Sequence, residues 1–65
     1  MNQFSIKFIV NLINMGSRIY DGYDEQQAYF IAERSGFECS LVVLYCGEIV
    51  ATNTYSPIGG WKVAN

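Results

Sequence analysis

The residues that could do chemistry are few. The 65-residue chain has two cysteines, Cys39 and Cys46, six carboxylates and no histidine. General-base and nucleophile chemistry usually rests on a histidine or on a matched carboxylate pair in a pocket. Two cysteines without histidine fall short of a closed zinc site. Cys39 and Cys46 flank a run with strand character, which at about 3.3 Å per residue sets them roughly 23 Å apart. A disulfide needs Cα atoms within about 7 Å, so no internal bridge is expected. With no adjacent basic group to favour a thiolate, both cysteines read as inert, small and buried. The chain therefore reads as a non-enzyme without metal or cofactor.

Two further groups carry binding chemistry. Asp21, Asp24 and Glu25 cluster ahead of an amphipathic stretch. A turn residue, a helix cap and a dipole partner account for them locally. As a contact patch, they would meet lysines or arginines of a partner. Tyr20, Tyr23, Tyr29, Tyr45, Tyr55 and Trp61 are many amphipathic rings for so short a chain. Some wrap the edges of a small core. Tyrosine and tryptophan are also enriched where proteins bind one another.

These residues are positioned by a hairpin spanning Cys39 to Tyr55. Leu41 to Tyr45 and Ile49 to Ala51 are apolar runs rich in β-branched types, with Cys46-Gly47-Glu48 between them. A glycine-containing turn between such runs is a hairpin signal. Two registers fit: a two-residue loop pairs Val43 with Val50, and a type I turn with Gly47 as a bulge pairs Val42 with Val50. Either way both faces carry large apolar side chains, whereas a sheet with one wet face should alternate. A helix covers one face. The other holds Leu41, Val43, Tyr45 and Val50, or their even-numbered neighbours with Ile9. The residues expected to meet a partner are Tyr20, Asp21, Tyr23, Asp24, Glu25, Val43, Tyr45, Tyr55 and Trp61.

The rest of the chain completes the domain. Phe4, Ile6, Phe8, Val10 and Leu12 alternate with mostly polar neighbours, which predicts a strand with the even positions on the core side. A helical stripe of Ile6, Ile9, Val10 and Ile13 is the rival, and the aromatic and β-branched content favours the strand. Gly16-Ser17 and Asp21-Gly22 are breakers, and Arg18 to Tyr20 fits a short edge strand. Asp24 to Ser35 reads as a helix, with Asp24 as N-cap, Gln27 completing a capping box and Gly36 as a left-handed terminator. Phe37 is then placed to fold back onto Ala32. Ala28, Ile31, Ala32 and Ser35 form the inward stripe. Ser56 to Gly60 is a loop, and Trp61 to Ala64 a last strand. The expected fold is a single α+β domain with one helix on a sheet of three to five antiparallel strands, in the order β-(β)-α-β-β-β.

Composition bounds the partner. The chain is 51% hydrophobic and only 15% charged, against about 25% charged in typical domains. A chain this short is marginal without a staple or a partner, so the excess apolar surface implies a partner or self-association, a homodimer included. The net charge is −2, and Lys7, Arg18, Arg34 and Lys62 are scattered along the sequence. Neither a basic nucleic-acid-binding patch nor a DNA-mimicking acidic surface is expected. No leader and no apolar run near 18 residues is present, so the expectation is a reduced, cytoplasmic protein with no membrane contact.

In layout the chain resembles the small inhibitor proteins that bacteriophages encode against host defence, and is similar to a type I-F anti-CRISPR protein. The likeness runs through SIKFIVNLIN, the Gly16-Ser17 turn, the helix QQAYFIAERS, the hairpin SLVVLYCGEIVAT and the final strand GGWKVA. It covers most of the chain and lies in the pattern rather than in a signature motif. It implies one helix on a curved antiparallel sheet. It also implies stoichiometric binding to subunits of a CRISPR surveillance complex in the host cytoplasm, blocking target-DNA access with no chemistry of the inhibitor's own.

Overall fold

The computed structural model describes residues 5–64. The elements are β1 (Ile6–Leu12), β2 (Arg18–Gly22), α1 (Glu25–Ser35), β3 (Cys39–Tyr45), β4 (Glu48–Ser56) and β5 (Gly60–Ala64). The strands form one sheet in the order β2-β1-β3-β4-β5, every neighbouring pair antiparallel. This is the expected α+β fold at its five-strand limit.

The N-terminal segment is a strand. Phe8 and Val10 are buried and Leu12 packs on the same core, so the period of two decides over the helical stripe. Ile6 is 45% exposed, and Phe4 falls outside the described residues. Between Val10 and Asn11 the pairing to β2 slips: Val10 faces Tyr20 and Asn11 faces Arg18. Ile19 is the extra residue of this bulge, and its side chain packs against the core.

The helix is capped and terminated where its sequence predicts, but Tyr20 rather than the Gln27 side chain takes the Asp24 amide, so the expected capping box is only half formed. Asp24 is extended at φ −98°, and its carboxylate accepts a hydrogen bond from the Gln27 amide at 3.2 Å. The Asp24 amide in turn donates to the Tyr20 hydroxyl at 3.1 Å. Gly36 ends the helix in the left-handed region at φ 80°, which glycine enters without a Cβ penalty. Ala28 and Ala32 are fully buried; their small side chains let the helix lie close to Val10, Cys39 and Leu41. Phe37, expected to fold back onto Ala32, is half exposed and outside the core.

The β3–β4 hairpin departs from both expected registers. Its loop is the two residues Cys46 and Gly47, with φ 52° and 86°; positive φ at both central positions is the type I′ pattern. Tyr45 pairs with Glu48 and Leu44 with Ile49, but Val43 then faces Ala51. Val50 is an extra residue on β4, a bulge two pairs from the turn. Cys46, expected to be buried, is an exposed turn residue, whereas Cys39 is buried; neither is in a disulfide.

The molecule measures 40 × 22 × 20 Å. An eleven-residue helix is only about 16 Å long. It contacts β1, β2 and β3, on one side of the sheet.

Candidate binding face

The pairing fixes which side chains share the uncovered side. Phe8 pairs with Val43 and Val10 with Leu41, and all four pack in or against the core beneath the helix. Side chains alternate across a strand, so Lys7, Ile9, Asn11, Ser40, Val42 and Leu44 point to the opposite side. Pairing extends this open face to Arg18 and Asp21 on β2 and to Ile49, Thr52 and Thr54 on β4, with Lys62 on β5. Among the described residues no second layer covers it. Ile9, Val42 and Leu44 are half-buried by their neighbours, while Ile49 is 65% exposed.

The open face is ordered in rows across the strands. Lys62, Thr54, Ser40, Asn11 and Arg18 face one another in turn and form a polar row with a cation at each end. At about 4.8 Å per strand the row is roughly 19 Å long. The next row runs Thr52, Val42, Ile9 and Asp21. The third runs Ile49, Leu44 and Lys7, towards the hairpin turn. A shallow groove of about 350 Å³ lies at the β2 end of the face, with Ile9 and Leu44 as its apolar wall and Lys7, Arg18, Asp21 and Tyr23 around it. There Asp21 is shared by Lys7 Nζ at 3.1 Å and an Arg18 guanidinium nitrogen at 3.5 Å, and Lys7 Nζ lies 5.8 Å from the Tyr23 ring centroid.

The residues expected to meet a partner divide between the two sides of the sheet. Asp21 and Tyr23 border the groove on the open face. Asp24 and Glu25 are exposed at the helix start. Tyr20, Tyr55 and Trp61 lie on the helix side and pack against the core. Val43 does too, which corrects the alternative that placed Leu41, Val43 and Tyr45 on the uncovered side. The even-numbered set with Ile9 occupies that side because β1 pairs in the register Phe8–Val43. Tyr45, opposite Ile6, belongs to the helix-side series but stands beyond the core at 38% exposure. Trp61 joins β5 to the helix: its Nε1–H donates to a Glu33 carboxylate oxygen at 2.8 Å. Its ring lies 4.7 Å from Tyr29 and 5.0 Å from Tyr55. The Asn53 amide donates to the Tyr29 hydroxyl at 3.1 Å and ties β4 to the same cluster.

Val42 and Leu44 belong to the even-numbered alternative for this side but not to the residues expected to meet a partner; Ile49 and the three cations were in neither. The alternation of Lys7, Ile9 and Asn11 opposite Phe8 and Val10 is the sequence signal that could have found this side of β1. The remaining positions follow only once strand pairing is known. No helix of the described residues is long and apolar enough to cross a membrane. Comparison with protein-family models, with characterised proteins and with solved structures finds no match.

Proposed function

We propose that this chain is a small non-catalytic protein that binds another protein through its open sheet face. One observation carries the reading: Ile9, Val42, Leu44 and Ile49 adjoin one another on the side of the sheet away from the helix. Outward positions of a one-layer sheet are ordinarily polar, and grouped exposed apolar residues mark interaction surfaces. The finer form of the proposal is inhibition. The resemblance to phage anti-defence proteins points to stoichiometric binding of a host complex, such as a CRISPR surveillance complex, in the bacterial cytoplasm.

The test is co-purification of the tagged protein from a bacterium with an active CRISPR system. Recovery of a surveillance-complex subunit near stoichiometric amount supports inhibition. Leu44→Glu and Ile49→Glu should each abolish that recovery while the helical circular-dichroism signal is unchanged. Recovery that survives both substitutions sinks the assignment of the face. Self-assembly through the same face is the second reading, favoured by a core of only six buried hydrophobic residues among those described. Light scattering that gives a defined oligomer for the wild type and a monomer for Leu44→Glu would select it.

A further inference from the structure

Three of the four basic residues, scattered in sequence, share one face in space; the fourth, Arg34, is in the last turn of the helix. Lys7, Arg18 and Lys62 all lie on the open face, with Asp21 as the one carboxylate within its strands. Asp24, Glu25 and Glu33 are on the helix or its cap, and Glu48 is opposite Tyr45 in the helix-side series. Glu38 lies just ahead of β3, two residues before Ser40, the middle residue of the polar row. A chain of net charge −2 thus turns a face of net positive charge outward around its apolar centre. Asp21 is already engaged by Lys7 and Arg18. Lys62 has no ion pair among the described residues and is exposed.

We infer that the occupant of this face is an acidic stretch of a partner protein. Its carboxylates sit at the ends of the Lys62–Thr54–Ser40–Asn11–Arg18 row, and an apolar side chain enters the groove between Ile9 and Leu44. The inference rests on the protein-binding reading above and adds the partner's charge. The row supplies what a carboxylate needs, hydroxyl and amide donors between two cations. Opposed potentials across an interface select partners and speed encounter. Nucleic acid is the poorer match. Single-stranded binders stack bases on aromatic side chains, and no strand position on this face is aromatic among the described residues; Tyr23 borders the groove from the segment after β2.

The test is an NMR titration of the full ¹⁵N-labelled chain with three twelve-residue peptides. They share a leucine pattern and differ in carrying Glu, Gln or Lys between the leucines. A twelve-nucleotide oligothymidine is the fourth probe. The Glu peptide should shift the amides of Ile9, Asn11, Ser40, Val42, Leu44 and Thr54. Its Kd should rise about 2- to 5-fold with Arg18→Gln or Lys62→Gln, the size of exposed charge pairs, and rise again with added salt. Both substituted side chains are exposed, so the fold should stand, and unchanged shifts at Val10 and Ala32 check that it does. Equal binding of the Gln peptide overturns the acidic partner but keeps the face as a protein-binding surface. Preference for the Lys peptide or the oligothymidine also overturns it. Shifts on the face that depend on protein concentration alone overturn it in favour of a second copy. Absence of any shift there overturns both this inference and the reading beneath it.

Discussion

Cys46 occupies a backbone position that its side chain does not favour. At φ 52° it is the one non-glycine residue in the left-handed region among those described, followed by Gly47 at φ 86°. Type I′ turns prefer Asn then Gly at these places. Cys46→Asn should raise stability by roughly 0.5–1 kcal/mol, read as an increase of several degrees in Tm. Gly47→Ala should cost about 1 kcal/mol in urea denaturation. A Cβ there would meet nothing within 4 Å, so the penalty would be torsional. Gly22 is the opposite case. A Cβ at Gly22 would come within 2.5 Å of the Tyr20 hydroxyl, which accepts the Asp24 amide. Tyr20 thus has a local duty, laid over a glycine and closing the helix start. Turn glycines are visible in a sequence, but that Tyr20 covers Gly22 is a fact of strand geometry.

The helix was legible because its signals are local: a cap, a small-residue stripe and a terminating glycine lie within thirteen residues, whereas the box partner read at Gln27 is displaced by Tyr20 at the Asp24 amide. Asp24→Ala should cost about 1 kcal/mol, measured by urea denaturation. The strands were legible from alternation, but their faces were not. Which parity of β3 meets the helix depends on its pairing with β1, some thirty residues away, and on bulges that shift β2 and β4 by one residue. A one-residue slip exchanges the faces, so Val43 rather than Val42 entered the expected binding set. β5 is held from the side by Trp61, which joins Tyr29, Tyr55 and Glu33. Trp61→Ala should cost about 2 kcal/mol, less than the full burial value because the ring is half exposed. Hydrogen exchange should then speed up in β5 and the outer part of β4 while the β1–β3 amides stay protected.

The whole molecule is one layer of strands with half a lid. The helix closes the core over β1, β2 and β3, and the far side carries an apolar centre between cationic ends. Leu44→Glu should leave the thermal midpoint within a few degrees, since the side chain is covered only by its neighbours; Leu41→Ala, at a fully buried site, should cost about 2–5 kcal/mol. Near-equal losses would mean that the open face is core. Sequence composition made an exposed apolar surface legible. Its charge was hidden, because Arg18 and Lys62 meet only through three intervening strands. The bulge at Val50 has a consequence for solubility. Among the described residues β4 pairs with β5 only as far as Thr52, and the outer backbone of residues 48–51 has no described strand beside it, an edge that another chain could extend. The extra residue kinks that edge and breaks its hydrogen-bonding rhythm, which is how natural sheets discourage stacking of one molecule on the next. Deleting Val50 would restore an even ladder from the turn inward, and the expected result is a molecule that folds but aggregates at lower concentration.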